Sequence, residues 1–150
     1  LEEKFKLIPI YSINGIMRAW PFVADGLEAV LRNAGTDTNL DKIYNDLLAG
    51  NLLLWLAFLN GQYIGFATTS IVSVPTLPKH LWIVHTYKKL KVPSEWLLKG
   101  LERLEEYAKE MGCLDIRFYA KLKPWQAKLE KLGYAPSYTE YIKEVKHEDS

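Results

Sequence analysis

Polar and apolar positions alternate over Lys6–Ile10, and a helical spacing follows at Phe22, Val23, Leu27, Val30 and Leu31. The first pattern predicts a strand and the second a helix over Pro21–Asn33, ended by Gly35. Asn39 or Thr38 caps a second helix running through Leu48, with Leu40, Ile43, Tyr44 and Leu47 on one face and Gly50-Asn51 as its stop. Leu52–Leu59, LLLWLAFL, is nearly all apolar, and periodicity does not separate strand from helix there. The following Asn60-Gly61 decides for a strand, because Asn-Gly between apolar runs is the strongest short hairpin signal. Its partner is Tyr63–Val74, ended by Pro75 and Pro78, and Lys79–Tyr87 is a third strand. Strict alternation there puts Leu81, Ile83, His85 and Tyr87 on one face, with Trp82, Val84 and Thr86 on the other.

A long amphipathic helix follows, with Ser94 as its N-cap after Pro93. Its apolar stripe is Leu97, Leu101, Leu104, Ala108 and Met111, and Gly112 stops it. Leu114–Ala120 reads as a strand, Pro124–Leu132 as a short helix ended by Gly133, and Tyr138–Val145 as a last strand before a frayed tail, His147–Ser150. The order is β, α, α, β, β, β, α, β, α, β. A meander followed by βαβ units predicts one α/β (α+β) domain over residues 1–150, a mixed, twisted sheet with helices on both faces.

Composition narrows the function classes. The 150 residues are 49% hydrophobic and 25% charged, which suits one domain with a real core. A net charge of +1 gives no global field toward nucleic acid or anionic lipid. No apolar run is long enough to span a bilayer, and Leu1-Glu2-Glu3-Lys4 does not resemble a signal peptide. Cys113 is the one cysteine, so an intrachain disulfide and a cysteine metal cluster are excluded, and a reducing, cytoplasmic setting is expected. His80, His85 and His147 show no metal-ligand spacing, and no Walker loop, dinucleotide fingerprint or nucleophile elbow is present.

Two stretches carry a resemblance. LERLEEYAKEMGC, Leu101–Cys113, resembles the body and end of the central helix of the GNAT superfamily, the acetyl-CoA-dependent N-acetyltransferases. LEKLGYAP, Leu129–Pro136, resembles that superfamily's late helix, its Gly turn and the approach to the last strand. The resemblance implies a GNAT-like fold, acetyl-CoA as cofactor and an amine, small molecule or peptide, as acceptor. It places the pantetheine along Leu81–Tyr87, including Val84 and Thr86, and the pyrophosphate at the N-terminus of the helix after Ser94. The family's Arg/Gln-x-x-Gly-x-Gly/Ala loop then falls on Val92, Pro93, Ser94, Glu95, Trp96 and Leu97. Its Arg/Gln position is Val92, and its two small positions are Glu95 and Leu97. Pro93 removes one N–H donor, and Glu95 suits the helix dipole but competes with a phosphate for the same positive end. Lys88, Lys89 and Lys91 are the side chains that could replace the glycine cradle.

The family's late-helix tyrosine, a general acid, falls on Leu129, which has no proton to give. His85 is the candidate base, because an unperturbed imidazole titrates near neutral pH. Tyr87 and Tyr119 are candidate acids by position, and Trp125 with Lys121 and Lys123 could flank an adenine. Each of these has an ordinary packing alternative: a hydrogen-bonded strand histidine, core tyrosines, a tryptophan seating a short helix. Three functions stay open: a divergent acetyltransferase; an inactive GNAT fold acting as a structural or interaction module with a protein partner or its own copies; and a groove for another ligand, lined by Trp82, Tyr87, Tyr119 and Trp125. GNAT-like sheets with degraded cradles are familiar among bacteriophage proteins, and a virion location accompanies the second reading.

Overall fold

The computed structural model describes residues 4–34, 39–119, 123–136, 143 and 145. It divides into two compact units, Leu1–Phe118 and Tyr119–Ser150. The first holds β1 (Phe5–Ile10), α1 (Ile13–Ala34), α2 (Leu40–Ala49), β2 (Leu53–Leu59), β3 (Gln62–Val74), β4 (Leu77–Lys88), α3 (Glu95–Glu110) and β5 (Asp115–Arg117). The second holds α4 (Lys123–Lys131), which ends as expected at Gly133, in the left-handed region at φ 92°. The predicted last strand, Tyr138–Val145, and the frayed tail lie mostly outside the described residues.

Local chemistry accounts for most boundaries. α1 begins eight residues before Pro21 because Ser12 caps it, its Oγ accepting from the Gly15 N–H at 3.0 Å. Pro21 therefore lies inside the helix and does not open it. The buried stripe Ile16, Ala19, Val23 and Leu27 runs straight past it. Asn39 caps α2 by accepting from the Lys42 N–H at 2.8 Å, and Gly50 closes it at φ 81°. The β2–β3 hairpin turns on Asn60 and Gly61 at φ 52° and 83°, as an Asn-Gly turn requires. Pro78 sits inside β4 and does not precede it, and it falls where the β3–β4 register is irregular.

The sheet order is β1-β2-β3-β4-β5, antiparallel except for the parallel β4–β5 pair. Leu54, Leu56 and Phe66 join the α1 and α2 stripes in one core. Trp55, of opposite parity on β2, meets Tyr107 of α3 edge-on at 4.9 Å, so α3 covers the other face. Trp55 is fully buried, and its Nε1 donates to Thr69 Oγ1 at 2.9 Å. This is the mixed sheet with helices on both faces that the hydrophobic pattern predicts.

Candidate functional site

Strand β4 carries the site, and its register departs from strict alternation. Leu81 and Ile83 stand opposite Ile71 and Thr69, while His85 and Tyr87 stand opposite Thr68 and Phe66. Between Ile83 and His85 the β3 partner advances by one residue and β4 by two, so Val84 is the extra residue of a β-bulge. Leu81 and Ile83 thus face α3 with Thr69 and Trp55, whereas His85 and Tyr87 face α1 and α2 with Phe66. The single face expected for Leu81, Ile83, His85 and Tyr87 is corrected: the bulge splits them two and two.

The same strand is unevenly paired. At 80–82 it lies between β3 and β5, with His80, Leu81 and Trp82 opposite Asp115, Ile116 and Arg117. His80 Nδ1 sits 2.7 Å from Asp115 Oδ1, and Arg117 donates to both Asp115 oxygens at 3.1 and 3.2 Å. Those bonds, Arg117's foremost, hold the Asp115 carboxyl below its ordinary range against the opposing effect of burial. From Ile83 to Lys88 the strand is paired with β3 alone among the described residues. Val84, 46% exposed, and Thr86, also exposed, lie on that open edge.

His85 is half-buried. Its backbone N–H donates to Thr68 Oγ1 at 3.1 Å, and its Nδ1 lies 2.7 Å from the same oxygen. Burial pushes the imidazole below its ordinary value of 6.5, which opposes its carrying a positive charge. The Tyr87 ring stacks on Phe66 at 5.5 Å, against Gly26 of α1. Nearby Tyr63 has its hydroxyl buried without a partner among the described residues, and burial, then Tyr87, push that hydroxyl up. Lys89 Nζ lies 5.3 Å from the centre of the Tyr63 ring.

The loop from Lys89 to Leu97 differs from a phosphate cradle in its hydrogen bonds as well as its sequence. The Val92 N–H turns back to the Lys89 carbonyl at 3.0 Å. The N–H groups of Trp96 and Leu97 are taken by Pro93 and Ser94 carbonyls at 3.3 and 3.0 Å, a tight first turn. Ser94 occupies the N-cap position, but in a helical conformation and with no side-chain capping bond. Trp96 points to β1, stacked on Phe5 at 5.6 Å, so it anchors α3 to the sheet and does not line the loop. Glu95 is exposed in the first turn, and Leu97 is 37% exposed. Tyr119, 66% exposed, belongs to the second unit. Trp125 lies in α4, with its side chain outside the described residues, as is Lys121.

The structure therefore brings His85, Tyr87, Val84 and Thr86 together on one stretch of strand, and places Val92 to Leu97 on the helix start beyond it. Sequence reading missed Thr68, whose one available signal is a polar pair, Thr68-Thr69, inside an apolar strand. Burial pushes the Cys113 thiol up, against a weaker opposing effect of Lys79, which disfavours its thiolate form. Among the described residues no group of three His, Cys, Asp or Glu could hold a metal, and no helix is long and apolar enough to cross a membrane.

A meander running into a parallel pair through a helix is a fold shared with solved structures of acetyltransferases. The chain has the GNAT fold. It is similar to a predicted acetyltransferase with acetyl-CoA from Clostridium acetobutylicum, at TM-score 0.66 and 20% identity over 95% of this chain and 96% of that one. It is similar to a GCN5-related N-acetyltransferase from Ralstonia eutropha JMP134, at TM-score 0.69 and 19% identity over 95% and 99%. A third, an aminoglycoside acetyltransferase from an uncultured soil metagenomic sample in complex with trehalose, gives TM-score 0.69 and 12% identity over 95% and 97%. No protein-family model and no curated protein sequence matches the chain.

Proposed function

We propose that this chain is an N-acetyltransferase that takes acetyl-CoA along β4 and passes the acetyl group to a small-molecule or peptide amine. The observation that carries the reading is the strand edge, paired on both sides at 80–82 and, among the described residues, on one side from Ile83 to Lys88, with a bulge at Val84. An open strand edge binds an extended amide chain through main-chain hydrogen bonds, and the pantetheine arm is such a chain. Val84 and Thr86 would hold it. When bound, acetyl-CoA supplies an acetyl group activated as a thioester. The similarity to an acetyltransferase with acetyl-CoA supports the donor, and the similarity to an aminoglycoside acetyltransferase supports an amine on a small molecule.

The phosphate end fits less well. Pro93 has no N–H, two first-turn N–H groups are already bonded, and Glu95 brings a negative charge. Lys88, Lys89 and Lys91 are the chain's means of holding phosphates there, by side chain in place of backbone. Weak binding of free acetyl-CoA is expected. Thermal melting with millimolar acetyl-CoA tests the reading, followed by thiol release over a panel of amines. At one hundred times its dissociation constant a ligand adds about 2.7 kcal/mol to the folded state. No shift and no thiol release would sink the reading. That outcome would favour an inactive GNAT fold serving a protein partner, on the ground of the occupied helix start.

A further inference from the structure

Thr68 and His85 form a pair that the base role leaves unexplained. Thr68 is fully buried. Its hydroxyl oxygen accepts from the His85 backbone N–H and lies 2.7 Å from His85 Nδ1. A hydroxyl has one proton to give, and among the described residues Nδ1 is the acceptor within hydrogen-bond distance of it. If Nδ1 carried the ring proton, the Thr68 hydrogen would be buried with nowhere to go, a costly state. With the Thr68 hydroxyl donating to Nδ1, both the hydroxyl proton and the Nδ1 lone pair are satisfied, and the neutral ring bears its proton on Nε2. That Nε2 is not among the buried unpartnered side-chain atoms, so it keeps some access to solvent. His80 shows the opposite arrangement. Its Nδ1 faces the Asp115 carboxylate, an acceptor, so a neutral His80 bears its proton on Nδ1.

We propose that His85 serves as a neutral hydrogen-bond donor toward an acyl oxygen, with Thr68 as the positioning residue that fixes its tautomer, and that it is not the base. The proposal rests on the acetyltransferase reading. A ring whose Nδ1 lone pair is occupied and whose Nε2 already holds a proton has no free lone pair for an ammonium proton. It can polarise a carbonyl, as neutral histidines do when placed as electrophiles. In the transfer the amine lone pair becomes the new N–C bond, the C–S pair leaves on sulfur, and the proton shed by nitrogen goes to solvent water. His85 keeps its proton throughout, so the acceptor must arrive as the free amine.

Long-range nitrogen–proton correlation spectra of the labelled chain read the tautomer directly. His85 should carry its proton on Nε2, with neutral His80 as the opposite internal reference; a proton on Nδ1 overturns the proposal. In Thr68→Val the Nδ1–H form should appear, and an unchanged tautomer overturns the part given to Thr68. Adding S-acetyl-N-acetylcysteamine, a minimal acetyl thioester, should move the Nε2–H resonance together with the amides of 83–88. Shifts in those amides without movement of Nε2–H would overturn the donor role and leave the acetyltransferase reading standing. No shift with this thioester or with acetyl-CoA would overturn both. His85→Ala should lower kcat by about 10²-fold with little change in KM for the amine; an undiminished kcat would count against the donor.

Discussion

Gly26 of α1 sets how closely that helix approaches the face carrying His85. A methyl group built there would lie 2.7 Å from Tyr87 Cδ2, 2.8 Å from Phe66 Cε2 and 2.9 Å from Tyr87 Cγ, where ordinary contact begins at 3.4 Å. Two effects oppose each other in Gly26→Ala. Helix propensity favours alanine by about 1 kcal/mol. Overpacking costs about 1–3 kcal/mol. Three contacts on two stacked rings, with Phe66 only 3% exposed, put the cost at the upper end. The net loss is then about 2 kcal/mol, or a melting point lower by about 4–8 °C in a chain of this size. Gly100 of α3 is the control, because its added methyl would meet Phe5 Cζ at 3.7 Å, an ordinary contact. Gly100→Ala should therefore raise the melting point by about 2–4 °C. Tyr87 is two residues from His85 on the same face, so Gly26→Ala should also cost activity beyond its effect on stability, as small misplacements at a reacting centre do. Scanning calorimetry of both variants decides. Gly26→Ala melting at or above the wild type would refute the close approach of α1 to the Phe66–Tyr87 stack.

Three further outcomes are expected. Thr69→Val strips the Trp55 Nε1–H of its acceptor in a fully buried place, which costs about 1–3 kcal/mol; an unchanged denaturant midpoint would mean the bond contributes nothing. Glu95→Gln removes a negative charge from the first turn of α3, so acetyl-CoA should bind several-fold more tightly at low salt, and the gain should shrink as salt screens it; an unchanged affinity at low salt would place the phosphates elsewhere. Because the folded His85 ring is pushed below its ordinary 6.5, the unfolded chain binds the proton more readily. That contribution to stability is present above about pH 6.5 and lost as pH falls through the folded value. The stability of the wild type relative to His85→Gln should be flat above that pH and decline below it. A flat difference down to pH 5 would contradict the burial of the ring.

Much of the fold was legible because its punctuation is local. Asn60-Gly61, Gly50, Gly112 and Gly133 all stand at positive φ where the sequence placed turns and helix ends. Gly112 ends α3 with the Cys113 N–H returning to the Ala108 carbonyl at 2.8 Å, a bond that needs the left-handed residue between. The start of α1 was not legible from Pro21. A proline reads as a boundary, yet the apolar stripe and the Ser12 cap carry the helix across it. The start of α3 was half legible. Ser94 stands where a cap belongs, but the turn tightens and bonds its own N–H groups, which no residue preference announces. Trp96 fell within the cradle motif by spacing, while its partner, Phe5, lies far back in the chain.

The site was legible in chemistry but not in geometry, and the reason is one residue. His85 stands out as a titratable group in an apolar strand, but alternation assigns it the face of Leu81 and Ile83, both buried beneath α3. The bulge at Val84 carries it to the opposite face, beside Thr68, and Val84 itself is an ordinary strand residue with nothing to mark it. Bulges concentrate where a side chain must be re-aimed or pairing must end. Both happen here among the described residues, since the pairing with β5 stops at Trp82 just before it. A register set by β3 thus fixes the open edge, the face of the imidazole and the hydroxyl that holds its tautomer. Deleting Val84 should leave Ile83 and His85 as consecutive residues opposite Thr69 and Thr68, a regular ladder that keeps His85 on the α1 face. Such a chain, if its melt stays cooperative, should keep the fold and the Thr68–His85 bond, with His85 still bearing its proton on Nε2. A folded deletion variant whose His85 proton moves to Nδ1 would show that the pairing with β3 does not place the ring.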